Sequence, residues 1–100
     1  MTTDDLTTAQ TAAETSRPVA PRIAVRLFAG AAAAFGADAT TVHAATLEEV
    51  IAVLRRDGSA EAGRVIDRSS FLVNAVACTD RARMLADGDR VDVLPPFAGG

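Results

Sequence analysis

The sequence contains no lysine, one cysteine and no long uninterrupted apolar stretch. Because lysine is absent, no side chain of this protein offers an amine for conjugation. The lone Cys78 cannot form an internal disulfide or a metal site built from several cysteines. Without an apolar run of about 20 residues, no membrane-spanning helix is expected. The first residues have neither the basic nor the apolar stretch of a secretory signal, so we expect a cytoplasmic protein.

Positive charge is also limited, since ten arginines stand against thirteen Asp and Glu residues, for a net charge of −3. A sequence-independent grip on phosphate groups needs clustered basic residues, and no such cluster is present. We therefore expect neither a nucleic-acid partner nor a membrane partner. The 100 residues, of which 49% are hydrophobic, are enough for one domain with a packed core.

The composition divides the chain into three parts. Residues 1–21 are rich in Thr and Ala and have only Leu6 and Val19 as large aliphatic side chains. They bury too little surface to offset the entropy lost on ordering, so we predict a disordered tail. Residues 22–94 are predicted to form the folded domain. Residues 95–100 are predicted to form an extended, flexible segment, called the arm below, that ends in Gly99-Gly100.

Alternating apolar residues predict strands at Arg22 to Phe28 and at Ala39 to Ala44. Phe71 to Ala77 is predicted to be a strand and its return, with Asn74 tolerating the left-handed backbone of a tight turn. The last strand, Arg90 to Leu94, has Val91 and Val93 facing inward and Asp92 facing outward. The turn signal Asp87-Gly88-Asp89 precedes it, and Leu85 is expected to fill the space under the sheet.

The clearest helix runs from Thr46 to about Asp57. Thr46 and Glu49 form a capping box, and the apolar residues after Thr46 recur at the spacing of one helical stripe. A short helical turn is predicted from Ala29 to Phe35, and a short helix around Ala60 to Ile66. Two strands, one main amphipathic helix and further strands predict an α+β domain. Its sheet of four to five strands would curl around that helix.

The final hexapeptide is Pro95-Pro96-Phe97-Ala98-Gly99-Gly100. Two prolines keep the backbone extended and remove N–H donors, so this arm cannot readily join a sheet. It spans at most about 20 Å, enough to enter a partner's cleft. Phe97 is large enough to anchor in an apolar pocket, whereas the two glycines fit a narrow channel. A terminal carboxylate, with a pKa of about 3.5, is a poor acyl donor until a partner adenylates it.

The stretch from Asp87 to Gly100 closely resembles the end of the MoaD family. That family is the small, sulfur-carrying subunit of molybdopterin synthase, related to the thiamine carrier ThiS and to ubiquitin. Leu27-Phe28-Ala29 running to Gly36, Thr46-Leu47 and Val73-Asn74 also resemble family positions. The resemblance covers roughly residues 22–100.

The resemblance implies a mixed-sheet β-grasp, or ubiquitin-like, fold. It implies that Gly100 is adenylated by an E1-like enzyme that uses ATP and then becomes a thiocarboxylate, while the carrier itself binds no cofactor and no metal. A sulfur donor enzyme would supply the sulfur. The carrier would be a non-catalytic subunit, because the MoaE-like large subunit of molybdopterin synthase would build the molybdopterin dithiolene. Pro95, Pro96, Phe97, Ala98 and Gly99 would bind these partners.

Three other functions remain open: a same-fold carrier for cysteine or thiamine biosynthesis, a ubiquitin-like modifier, and a small binding domain with an inert tail. Four other sites have simpler interpretations. His43 is expected to be an exposed or edge histidine, and Cys78 a small core residue. Asp87 and Asp89 are ordinary turn residues, and Arg81 and Arg83 belong to a solvated loop.

Overall fold

The computed structural model describes residues 20–96. The predicted tail lies almost wholly outside these residues, as do the last four residues of the arm, so the predicted domain boundaries remain predictions. The strands are β1 (Arg22–Leu27), β2 (Ala39–His43), β3 (Ser70–Val73), β4 (Val76–Ala77) and β5 (Arg90–Leu94). The helices are α1 (Ala29–Phe35), α2 (Leu47–Asp57) and α3 (Ala60–Arg68).

The five strands form one mixed sheet in the order β2-β1-β5-β3-β4. β1 pairs with β5 in parallel, and the other neighbouring pairs are antiparallel. A parallel pair needs a long crossover, and here all the other elements lie between its two strands in the sequence. The last strand of the domain is therefore central in the sheet, with β1 on one side and β3 on the other.

One face of this sheet and the helices enclose the hydrophobic core. The predicted alternation of inward-facing apolar residues is confirmed in two strands. Ile23, Val25 and Leu27 are buried in β1, and Val91 and Val93 are buried in β5. Burying such side chains is worth about 1.5–3 kcal/mol each. The predicted stripe of α2 is also confirmed, because each of its members is fully buried; these are Leu47, Val50, Ile51 and Leu54.

The start of α2 forms the predicted capping box with one difference. Thr46 Oγ1 accepts a hydrogen bond from the Glu49 N–H at 3.2 Å. Glu49 Oε1 in turn accepts from the N–H of Ala45 at 2.7 Å, one residue before the cap. Thr46 thus satisfies one donor that the first helical turn leaves without an intrahelical partner, and Glu49 satisfies the N–H of the residue before the cap.

α3 extends two residues beyond the short helix that was predicted. Ser59 Oγ caps it by accepting from the Ala62 N–H at 3.1 Å, and Ala62 and Ile66 are buried. The three predicted helical segments are therefore all helices within the described residues, and α2 is the longest of them. The apolar stripe of α3 is short and contains alanine, but the polar residues fall on the opposite face, so the helix is strongly amphipathic.

The return between β3 and β4 is a two-residue turn in the left-handed region. Asn74 has φ 49°, as its residue type predicted, and Ala75 has φ 72°. The Asn74 side chain anchors this turn to the start of β5, accepting from the Arg90 N–H at 2.9 Å and donating to Asp89 Oδ1 at 3.0 Å. Leu85 is buried under the sheet, as expected.

Asp92 points outward, as predicted, but it is only 4% exposed. Its neighbours on the outer face of the sheet are Arg26 on β1 and Leu72 on β3, each directly opposite it in the strand register. In a central strand, flanking side chains can cover an outward residue, so facing away from the core does not here mean contact with water.

Two glycines, one at the end of α2 and one inside α3, are predicted to respond in opposite ways when alanine replaces them. A Cβ at Gly58 would lie 2.9 Å from the Ala62 Cβ and 3.1 Å from both Leu54 O and Phe35 Cδ1. Gly58→Ala should therefore lower the free energy of unfolding by about 1–3 kcal/mol. At Gly63, inside α3, the nearest atoms are 4.0 Å away. Gly63→Ala should raise it by about 0.5–1 kcal/mol because alanine favours helix. Urea unfolding gives the free energy of unfolding of both variants. Equal changes in the two would contradict the difference in packing described for Gly58 and Gly63.

Candidate functional site

The root of the arm is held by β5 in the middle of the sheet. Leu94 is the last paired residue of β5 and lies opposite Ser70 of β3. On the other side, the Phe28 N–H donates to Val93 O at 3.1 Å. Pro95 is half-buried and Pro96 is exposed. Strand pairing therefore continues to Val93 on the β1 side and to Leu94, the residue before the two prolines, on the β3 side, which fixes where the arm begins.

An apolar groove of about 500 Å³ lies beside this root. Ala29, which opens α1, has φ 49°, a left-handed backbone that costs a non-glycine residue about 1–2 kcal/mol. Phe28 is 37% exposed, which is high for such a large apolar side chain. The groove is lined by Phe28, Ala29, Gly30, Ser70, Leu94, Pro95 and Pro96.

A buried carboxylate lies on the outer face next to the groove. Asp92 Oδ1 accepts a hydrogen bond from Arg26 Nε at 3.3 Å. Arg90 Nε lies 3.5 Å from the same oxygen, but the geometry is not that of a hydrogen bond, and this buried nitrogen has no other partner. Two guanidinium groups thus compensate one carboxylate, since an unpaired buried charge would be strongly destabilising.

Arg26 also joins this charged group to the groove. Its guanidinium carbon lies 5.3 Å from the centroid of the Phe28 ring, within cation–π range. Arg26, Asp92 and Arg90 are called the Arg-Asp-Arg cluster below. Arg26 connects this cluster to the groove through Phe28, whereas Arg90 lies at the end of β5 away from the arm.

The sequence-predicted arm residues are only partly described. Pro95 and Pro96 line the groove. Phe97, Ala98, Gly99 and Gly100 lie outside the described residues, so their roles as partner-binding and reactive groups remain predictions.

The other candidate residues do not come together at this surface. His43 is exposed on the edge strand β2, as expected. Cys78 is half-buried and packs against the core, beside a separate cavity of about 290 Å³. Arg81 Nη1 lies 3.7 Å from Glu48 Oε1, and both side chains are exposed, as is Arg83. An exposed pair of this kind contributes little stability.

Asp87 and Asp89 act in the turn before β5. Asp87 Oδ1 accepts from the Arg22 N–H at 2.8 Å. Asp89 Oδ2 accepts from the Ala86 N–H at 2.8 Å, and Oδ1 accepts from the Asn74 side chain. The hydrogen bond from the Ala86 N–H is the largest cause, and the one from the Asn74 side chain the next, of a pKa of Asp89 below its usual value. Within residues 20–96, no three His, Cys, Asp or Glu side chains are grouped so that they could hold a metal ion.

The comparison with protein families identifies the chain. A model of the ThiS family matches residues 25–100, about three quarters of the sequence, and this match includes the whole arm. The chain belongs to the ThiS family. No curated protein matches it at the sequence level. Among the described residues, no helix has the length and apolar character needed to cross a membrane.

Solved structures similar to this ThiS-family chain confirm the β-grasp fold. Small archaeal modifier protein 1 of Haloferax volcanii is 26% identical, with a TM-score of 0.69 over 79% of this chain and 99% of its own. The putative molybdopterin converting factor subunit 1 of Pyrococcus furiosus is 22% identical, with a TM-score of 0.66 over 78% of this chain and 100% of its own.

A third similar structure is a complex of subunits 1 and 2 of the molybdopterin-converting factor from Helicobacter pylori. It is 23% identical, with a TM-score of 0.62 over 79% of this chain and 99% of the matched chain. The structural neighbours of the ThiS-family domain thus include both molybdopterin-converting subunits and ubiquitin-like modifiers.

Sequence reasoning did not assign Arg26, Phe28, Asp92 or Arg90 to the site. Period-two patterning indicated only that Arg26 and Asp92 each point away from the core. Their proximity depends on the parallel register of β1 and β5, and residues 66 positions apart carry no local signal of that register.

We predict that Asp92→Asn lowers the free energy of unfolding by about 1–2 kcal/mol, because it removes the charge that compensates Arg26 and Arg90. We expect no larger loss of stability because the side chains of both arginines are about half exposed, so water can solvate their charges. Arg56→Ala is the control, since the Arg56–Asp57 contact is exposed and should be worth less than about 0.5 kcal/mol. Equal urea midpoints for the two variants would refute this role of Asp92.

The lowered pKa of Asp89 predicts that the stability of the domain depends on pH. Its folded pKa is lowered, so the stability it adds is complete above the unfolded pKa of about 3.9 and is lost as the pH falls through the folded value. The difference in urea midpoint between the wild type and Asp89→Asn should therefore shrink on acidification from pH 6 to about pH 2. A difference that stays constant over this range would show that the carboxylate is not preferentially ionised in the folded state.

Proposed function

We propose that this chain is a sulfur carrier whose Gly100 carboxylate is adenylated and then converted to a thiocarboxylate. The ThiS-family match supports this proposal because it extends through Gly100. The observation that carries it is the root of the arm. β5 is paired with β1 as far as Val93 and with β3 as far as Leu94, and two prolines follow beside an apolar groove. A rigid root of this kind directs a short arm into a partner without requiring the domain to unfold.

The chemistry needs activation from outside the carrier. A Gly100 carboxylate oxygen attacks the α-phosphorus of ATP on the partner enzyme, and pyrophosphate leaves, giving an acyl adenylate. A sulfur nucleophile from the donor enzyme then attacks the acyl carbon and AMP leaves. Where that nucleophile is a donor persulfide, a second thiol then attacks the donor's sulfur, so that the sulfur–sulfur bond breaks, a disulfide forms on the donor side and the thiocarboxylate stays on Gly100. The carrier contributes the carboxylate, the reach of the arm and the surface on which partners bind.

The sulfur acceptor in this proposal is the molybdopterin precursor, held by a MoaE-like large subunit of molybdopterin synthase. The similar Helicobacter pylori structure, a complex of subunits 1 and 2 of a molybdopterin-converting factor, favours a large-subunit partner. The reaction would take place in that subunit, so the carrier would be consumed and reloaded in each cycle rather than act as a catalyst.

A second candidate is a ubiquitin-like modifier, favoured by the 26% identity to a protein named a small archaeal modifier. In that case the same activated carboxyl group would pass to an amine of a target protein. The absence of lysine means that no side chain of this chain would accept another copy of it.

Adding one alanine after Gly100 should abolish thiocarboxylate formation, because the new terminus cannot occupy a site shaped for a glycine pair. The chain would be co-expressed with its adenylating enzyme and sulfur donor, and its intact mass measured. The wild type should gain the mass difference between sulfur and oxygen, and the extended variant should not. An alanine added before Met1 is the matched control and should leave the gain unchanged.

Far-ultraviolet circular dichroism would establish that both extended proteins are folded like the wild type. Sulfur loading of the chain extended after Gly100, or a wild type that never gains sulfur, would refute the carrier proposal. Covalent adducts that resist reducing agents on denaturing gels would instead support the modifier. Co-purification with a large synthase subunit would support molybdopterin as the destination over cysteine or thiamine.

A further inference from the structure

A second groove, between α2 and α3, shares no residue with the Arg-Asp-Arg cluster or with the groove at the root of the arm. It has a volume of about 490 Å³ and is called the interhelical groove below. Three of its lining residues, Ala52, Ala60 and Gly63, have little or no side chain, which leaves room between the two helices. The other lining residues are polar or charged; these are Arg55, Arg56, Ser59, Arg64 and Asp67.

The lining of the interhelical groove is positively charged, since it has three arginines and one aspartate. Glu48 and Glu49 lie in the first turn of α2, whereas the arginines of α2 lie in its last turn, so the charges on this helix are separated. Arg64 has no ion pair within residues 20–96. In a chain with a net charge of −3, this groove is therefore a local surface that attracts carboxylates.

The ion pairs already present at the interhelical groove leave it open to an acidic ligand. Arg55 Nε lies 3.7 Å from Asp67 Oδ1, and Arg56 Nε lies 3.4 Å from Asp57 Oδ1. The four side chains are between 43% and 75% exposed. Because exposed pairs of this kind contribute little stability, an added carboxylate does not have to break a strong contact.

The acidic segment of this chain that matches the groove lies near its N-terminus. Residues 1–19, which lie outside the described residues, contain three acidic residues and one arginine, so they account for two of the three net negative charges. Two of these acidic residues are consecutive in Asp4-Asp5-Leu6, and Leu6 is the only large aliphatic residue before Val19. An acidic pair followed by an apolar side chain is complementary to arginines beside alanines.

The chain leaves the domain close enough for this segment to reach the groove. Pro21 O accepts a hydrogen bond from the Ala44 N–H at 3.0 Å, and α2 begins three residues after Ala44. From the start of α2, Arg56 lies about 14 Å along the helix. The chain between Leu6 and Pro21 spans up to about 50 Å when extended, so the segment reaches the groove without displacing any element of the fold.

We propose that Asp4-Asp5-Leu6 docks in the interhelical groove of its own chain, with both carboxylates against the arginines and Leu6 against Ala52 and Ala60. Covalent attachment gives the segment an effective concentration on the order of millimolar at the groove, which offsets the weakness of exposed ion pairs. This contact lies on the helical side of the domain. It therefore leaves the arm and the outer face of the sheet uncovered, and it does not depend on the proposed function.

The absence of lysine makes a specific test possible, because the α-amino group of the chain is its only amine. A nitroxide attached to that amine in full-length, ¹⁵N-labelled protein broadens the amide signals of nearby residues, with an effect that falls as the inverse sixth power of distance. The amide signals of Ala60, Gly63 and Arg64 should be broadened more than those of the edge strand β4. Unchanged positions of the β1 and β5 signals would establish that each variant below is folded.

Matched substitutions test both sides of the contact. Asp5→Asn should reduce the broadening at Gly63, whereas Glu14→Gln removes the same charge outside the segment and should leave it unchanged. Arg64→Gln should also reduce it, whereas Arg68→Gln, on the same helix but not in the groove, should not. Equal broadening within either pair of variants would overturn the proposal.

Salt and mixing complete the test. Raising sodium chloride from about 0.1 M to about 1 M shortens the Debye length from about 10 Å to about 3 Å, so the broadening at the groove should fall to that of β4. Broadening that does not respond to salt would contradict recognition by charge. A spin-labelled chain without ¹⁵N should not broaden the groove signals of an unlabelled ¹⁵N chain; if it does, the segment binds a second copy and docking within one chain is refuted.

Discussion

The parallel pairing of β1 with β5 is the constraint on which the other features of this structure depend. It brings the first and last strands together in the centre of the sheet and leaves β2 and β4 at the edges. Because hydrogen bonds hold β5 on both sides, its C-terminal end is a rigid point. The groove is built at that point from the end of β1, the start of α1, the start of β3 and the first residues of the arm.

The same pairing explains why a carboxylate is buried outside the hydrophobic core. The register places Arg26 directly beside Asp92, and Arg90 precedes Asp92 by two residues on the same face. A buried ion pair is weak evidence for stability, because replacement by apolar residues is often neutral or favourable. The presence of this charged group is therefore not explained by the free energy of the ion pair alone.

Local features of the fold could be predicted because their causes are local. The cap of α2 depends on Thr46 and Glu49, three residues apart, and the left-handed turn at Asn74 depends on one residue type. The extent of α3 was underestimated by two residues because its end is set by Ser69, whose N–H donates to Ile66 O and whose Oγ donates to Val65 O, rather than by an apolar residue. Glu49 accepts a hydrogen bond from the N–H of Ala45 rather than of Thr46, a difference of one residue that the sequence pattern does not predict.

The sequence by itself determined the α+β class, the inward faces of β1, β5 and α2, and the proline pair that ends strand pairing, since each follows from neighbouring residues. Through the resemblance of its last residues it also indicated the family. The tertiary structure alone decided that Phe28 and Leu94 share a groove, that Arg26 meets Asp92, and that an outward aspartate is buried. These contacts join residues more than 60 positions apart, and their register is set by the packing of the whole sheet rather than by any local pattern.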